Sequence, residues 1–104
     1  MKHWVLRNGQ PVSTDDAVKW ATWYGTSGEE RRVARTVVSD GVEVSTVFLA
    51  IDHAFGGMVP ILWETLVFGG PLDGEMERYS SREGAEAGHE AMVKRAREAA
   101  PCDS

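Results

Sequence analysis

Four residues combine reactive side chains with apolar surroundings: Asp52, His53, Glu64 and His89. Polar groups set among apolar ones are the informative exceptions in a globular chain, because burying them requires a partner. Asp52 and His53 end the apolar run Val47-Phe48-Leu49-Ala50-Ile51 and lead into Phe55-Gly56-Gly57. Glu64 interrupts the otherwise apolar segment from Ile61 to Phe68, and His89 falls on the apolar stripe of the last helical segment. Brought together, His53, Glu64 and His89 have the donor types that hold zinc, iron or manganese. With Asp52 they also have the types that make a general acid–base pair. The competing assignment is structural: Asp52 caps a turn, His53 lies in a loop, Glu64 pairs with an arginine, and His89 donates a hydrogen bond in the core. No His-x-x-x-His pair concentrates the ligands in sequence, so the pattern favours the structural assignment and no cofactor is expected.

Other chemistries have less support. Ser39 and Ser45 lack the Gly-x-Ser-x-Gly turn of a nucleophile elbow. Gly56-Gly57 and Gly69-Gly70 are not followed by Lys-Ser or Lys-Thr, so neither is a phosphate loop. His3 is close to the N-terminus and carries little information. The single cysteine, Cys102, follows Pro101 near the end of the sequence, where no internal disulfide or cysteine zinc cluster is available to it.

The elements that must position these residues belong to a small chain. Its 104 residues, 42% hydrophobic with four Trp, three Phe and two Tyr, suffice for one core. A single α+β domain is expected over residues 1–100, with a disordered tail at 101–104. Eleven basic and sixteen acidic residues give a net charge of −5 and a pI near 5.1. Nucleic acid is therefore an unfavoured ligand, since that affinity comes from Lys and Arg neutralising phosphates. Asp73-Gly74-Glu75-Met76-Glu77 is locally acidic and reads as a solvated loop. No run approaches the roughly 20 apolar residues that span a bilayer, and the apolar run near the N-terminus is too short for a signal peptide. A cytoplasmic location, in a reducing compartment, is the expectation.

Along the chain, His3-Trp4-Val5-Leu6 reads as a strand, and Asn8-Gly9 closes a small hairpin toward Val12. Ser13 is the expected cap of a helix that carries Ala17, Val18, Trp20, Ala21, Trp23 and Tyr24 and stops at Gly25 and Gly28. Two β-branched runs around Asp40-Gly41 predict a second hairpin, residues 61–68 a third long strand, and residues 77–79 an edge strand. Because residues 47–51 and 61–68 are apolar on both faces, both strands are expected to be central and at least partly covered on both sides. Ser80 with Glu83 predicts a capping box, followed by an apolar stripe at Ala85, Gly88, His89, Met92, Val93, Ala96 and Ala100. The fold expected is α+β, an antiparallel sheet of three to five strands with two helices packed against it, in the order β-α-β-β-β-α.

The first helix has more apolar surface than one face can bury, which makes Trp20, Trp23 and Tyr24 the candidate partner-binding residues. Several segments together resemble a group of small proteins found in phage, prophage and bacterial genomes. They are Val44 to His53 with Phe55-Gly56-Gly57, Pro60 to Gly70, Arg78-Tyr79-Ser80 and Gly88-His89-Glu90. The resemblance covers roughly residues 30 to 95. It transfers no activity; it implies a phage or mobile-element setting, in which small acidic proteins act by binding a host or defence protein. The expected function is an accessory protein that binds a host or phage protein through its sheet edge or first helix, with homodimerisation the further association considered. The alternative is a small metal-dependent or acid–base enzyme built on the His/carboxylate residues.

Overall fold

The computed structural model describes residues 3–52 and 59–99. It is an α+β fold in the order β1 (His3–Arg7), β2 (Gln10–Thr14), α1 (Ala17–Thr26), α2 (Gly28–Arg31), β3 (Arg32–Ser39), β4 (Val42–Phe48), β5 (Trp63–Phe68), β6 (Met76–Tyr79) and α3 (Arg82–Ala99). Strands β3-β4-β5-β6 form one antiparallel meander, and β1-β2 a separate hairpin. The expected fold class therefore holds, with an extra strand in the N-terminal hairpin and a one-turn helix, α2, that the sequence pattern did not signal.

Both hairpin turns follow from their residues. Asn8 and Gly9 adopt φ values of 53° and 78°, the pair of left-handed conformations that a two-residue turn between twisted strands requires. At the far end of the meander the Asp40-Gly41 turn meets Gly69-Gly70. Gly69 has φ 82°, and a Cβ there would collide with the Gly41 carbonyl oxygen. Two residues past the end of β4 lies Ala50, a buried non-glycine residue with φ 66°.

Three boundaries depart from expectation for local reasons. Asp16, not Ser13, caps α1: its Oδ1 accepts the Lys19 amide at 3.0 Å, while Thr14 Oγ1 accepts the Asp16 amide. α1 also continues through Gly25 to Thr26, because the stop is made by Ser27, whose amide and hydroxyl both donate to the Tyr24 carbonyl. Ser81, not Ser80, starts α3, with its hydroxyl accepting the Gly84 amide at 3.0 Å.

One face of the meander is covered by α3. The residues of β4 alternate, with Val42, Val44, Thr46 and Phe48 buried beneath the helix and Glu43, Ser45 and Val47 on the other side. β5 repeats this with Trp63, Thr65 and Val67 inward. From α3 the buried residues are Ala85, His89, Met92, Val93 and Ala96, the stripe expected from the spacing, and Ala100 lies outside the described residues. The two central strands are thus covered on one face, not two. Their second apolar face is only half-buried.

The core divides in two. Val42, Val44, Val67, Met92, Val93 and Ala96 fill one half. Leu6, Phe48, Ala50, Leu62, Trp63 and Ala85 fill the other, joined by Trp4, Trp20, Trp23, Val33 and Tyr79. Each aliphatic or aromatic side chain so buried contributes about 1.5–3 kcal/mol. The second half is where the N-terminal hairpin and α1 attach. The Trp4 amide donates to the Ala50 carbonyl at 2.9 Å, and His3 bridges to Ile51.

Gly69→Ala is expected to destabilise the fold by about 2 kcal/mol or more, through the φ penalty and the collision with Gly41. Gly25→Ala, in a helix with open space around it, is expected to be neutral or stabilising by about 0.5 kcal/mol. Urea denaturation of both variants checks the pair, and equal midpoints would contradict it.

Candidate functional site

The four candidate residues do not form one site. His89 lies on the covered face of the sheet, 1% exposed, on the buried side of α3. Its Nδ1 is 2.8 Å from Thr46 Oγ1 and its Nε2 2.8 Å from Thr36 Oγ1. Thr46 is hydrogen-bonded across the strand pair to Thr65, which fixes both hydroxyls on the helix side. Glu64 precedes Thr65 in the strand and therefore faces the opposite way. Its carboxylate takes the Arg78 Nε at 3.0 Å. A metal or acid–base centre shared by Glu64 and His89 is thereby ruled out by the sheet itself.

Asp52 sits past the end of β4, where its Oδ1 accepts the Ile61 amide at 3.0 Å. His53 lies outside the described residues. Among the described residues no group of three or more His, Cys, Asp or Glu side chains is placed to hold a metal ion. Glu86 stands three residues before His89, a spacing that serves metals in helical bundles. Here Glu86 is exposed and paired with Arg82 at 3.3 Å, while both nitrogens of His89 are occupied. The arginine pairing expected of Glu64 and the core hydrogen bonding expected of His89 are observed. Asp52 instead accepts an amide nine residues along the chain, and the turn it is expected to cap lies outside the described residues.

What the sequence pattern did not reveal is the chain of hydroxyls around His89. Tyr79 Oη donates to Thr65 Oγ1 at 3.1 Å. Thr65 then has Thr46 as the acceptor for its own proton, and Thr46 has His89 Nδ1. Donor bookkeeping therefore places the imidazole proton on Nε2, pointing at Thr36 Oγ1. Tyr79 reaches this position because Gly88 has no side chain: a Cβ there would run into the phenol ring and its hydroxyl. The residues that could have disclosed the chain were present as three threonines on strands and a Gly-His step on a helix, but only the register aligns them.

Burial pushes the His89 imidazole below its ordinary value, with the neighbouring Glu90 acting in the opposite direction. The cation is disfavoured for a second reason: protonated Nδ1 would have to donate to Thr46 and reverse every hydroxyl in the chain.

The aromatic residues of α1 are largely committed to anchoring it. Trp20 Nε1 donates to both the Trp4 and Ala50 carbonyls at 3.1 Å. Its ring contacts His3 and stacks on Tyr24, with centroids 4.6 and 5.0 Å apart. Trp23 meets Phe48 edge-on, and the Arg31 guanidinium stands 3.8 Å from the Tyr24 ring centre. Trp20 and Trp23 are half-buried, and only Tyr24 exposes an aromatic edge. The surplus apolar surface of α1 at Val18, 77% exposed, is not aromatic.

The uncovered face of the sheet is the larger candidate surface. It carries Val37, Val47, Leu66, Phe68 and Met76, of which Val37, Phe68 and Met76 are 61%, 48% and 45% exposed. Two ion pairs cross it, Arg35–Glu43 at 2.6 Å and Arg78–Glu64 at 3.0 Å. The hydrogen bond from Arg35 holds the Glu43 carboxyl below its ordinary value. No helix of the described residues is long and apolar enough to cross a membrane.

Because the folded chain binds the His89 proton less readily than the unfolded one, stability is full above the unfolded value near 6.5 and falls as pH drops below it. The slope is at most about 1.4 kcal/mol per pH unit and levels off below the folded value. His89→Gln is expected to cost about 1–3 kcal/mol at pH 7.5, by leaving hydroxyls poorly paired, and to flatten the dependence between pH 7.5 and 5.5. Denaturation midpoints across that range check both. An unchanged slope in the variant would contradict the assignment.

Comparison with protein-family models, curated proteins and solved structures finds no match to this chain.

Proposed function

We propose that the chain is a non-catalytic accessory protein that binds a host or phage protein through the open face of its four-stranded sheet. The observation that carries this reading is the asymmetry of the sheet. α3 covers one face, while the other exposes Val37 and Phe68, on either side of Glu43, together with Met76, among two strand-crossing ion pairs. Apolar side chains gathered on one exposed face favour burial against a partner. Charges that are already paired also cost less to desolvate than lone ones.

The charge of this face indicates the kind of partner. Its arginines are each paired with a carboxylate, Arg32 with Glu29, Arg35 with Glu43 and Arg78 with Glu64, so the face carries little net charge. A partner offering an apolar patch with a polar border of little net charge is complementary to it. The phage or mobile-element setting rests on the sequence resemblance alone. Binding through the face, and not through Trp20 and Trp23, is favoured because those rings are engaged in attaching α1.

The test compares the wild-type chain with a Val37→Asp/Phe68→Asp double variant as baits in lysate from uninfected and phage-infected bacteria. Both positions are exposed on the open face, so the variant is expected to keep its thermal midpoint within a few degrees. Identified proteins retained by the wild type should be lost from the variant, and purified partner should bind the two with at least about tenfold different affinity. Capture that survives the double substitution, or no reproducible capture at all, would overturn the proposal.

A further inference from the structure

Between the β1–β2 hairpin and α1 lies an open cleft of about 360 Å³, a size at the lower end of small-ligand sites. Its apolar side chains are Val5 and Val12, which face each other across the hairpin, and Trp23 on the helix. Leu6, on the other face of the hairpin, is 6% exposed and belongs to the core, so the hairpin that carries Val5 and Val12 is anchored by packing. Trp23 is fixed in turn by its edge contact with Phe48.

The polar groups of the cleft are unequal in availability. Asp16 is committed as the cap of α1, through the Lys19 amide, and Thr14 Oγ1 is committed to the Asp16 amide. The Arg7 guanidinium and the Lys19 ammonium have no hydrogen bond or ion pair with another described residue. Ser13, paired with Trp4, is on the other face of the hairpin from Arg7. In a chain with more acidic than basic residues, two unpaired cations on one cleft are a notable concentration. Both groups donate hydrogen bonds.

We propose that this cleft binds a small organic carboxylate with an apolar body. Val5, Val12 and Trp23 take the body, and Arg7 and Lys19 take the carboxylate. Arg7 can do so bidentately. Two cations facing one capped carboxylate leave room for a single negative charge, which disfavours phosphates and other multiply charged anions. Cationic ligands meet like charge at Arg7 and Lys19. The same chemistry is offered by a free aromatic acid and by the C-terminal residue of a peptide with an apolar side chain. The cleft is separate from the open sheet face, so this inference stands or falls independently of the partner-binding reading.

The test is a ¹H–¹⁵N NMR titration of the full chain with phenylacetate, phenylacetamide, and an acetylated Gly-Ser-Gly-Ser-Gly-Phe peptide with a free or amidated C-terminus. Saturable shifts at residues 5–7, 12–14 and 19 and at the Trp23 indole are expected from a free carboxylate and not from the matching amide. Binding by phenylacetate alone identifies a free acid as the source, and binding by the peptide acid alone identifies a chain end. Either result supports the proposal. Arg7→Gln/Lys19→Gln should weaken binding at least about tenfold, while Arg7→Lys/Lys19→Arg should retain most of it. The spectrum away from the cleft reports that each variant remains folded. No saturable shift up to about 10 mM, equal binding of acid and amide, or no effect of the glutamine variant would overturn the assignment.

Discussion

The imidazole of His89 is the point on which the packing of α3 against the sheet depends. It lies in a polar layer that crosses the core from β3 to β6, through Thr36, His89, Thr46, Thr65 and Tyr79. Apolar side chains fill the core on both sides of that layer. Along α3 the order is Ala85, His89, Met92; along β4 it is Phe48, Thr46, Val44; along β5 it is Trp63, Thr65, Val67. An apolar core with no such layer would tolerate a helix sliding by a turn, because hydrophobic burial is not directional. Hydrogen bonds are directional, and a buried donor left without a partner costs about 1–3 kcal/mol. The layer therefore specifies one register of helix on sheet.

A second junction holds the N-terminal hairpin and α1 to the end of this sheet. It centres on the Ala50 carbonyl, which accepts from the Trp4 amide and from the Trp20 indole. Ala50 is held in a left-handed conformation two residues past the end of β4, where the chain leaves the sheet toward Asp52. The junction explains why the aromatic residues of α1 serve attachment before recognition. It also creates the cleft between hairpin and helix, whose cations Arg7 and Lys19 make no hydrogen bond or ion pair among the described residues.

Much of this arrangement is legible in the sequence. The stripe from Ala85 to Ala96 has one reading, because a helix with a single apolar face must turn it inward. Asn8-Gly9 and Asp40-Gly41 mark their turns by backbone demand alone. The assignment of His89 as a hydrogen-bonded core histidine, and of Glu64 as an arginine partner, followed from the absence of a His-x-x-x-His pair. What stayed hidden depends on register or on competition between neighbours. Ser13 and Asp16, or Ser80 and Ser81, are equally good caps by type, and only the path of the chain selects one. β5 is apolar on both faces, so its sequence does not say which face α3 takes. The three threonines that receive His89 lie on different strands and share no sequence signal.

The central claim is that His89 is a neutral structural element whose proton is held on Nε2 by an ordered chain of hydroxyls, with function left to the outer surfaces. Long-range ¹H–¹⁵N correlation of the His89 ring at pH 7.5, before and after addition of zinc, tests this most directly. The expected result is a protonated Nε2, an unprotonated Nδ1 with the shift of a hydrogen-bond acceptor, and no response to the metal. A ring protonated on Nδ1, a cationic ring at that pH, or a nitrogen shift on adding zinc would contradict it.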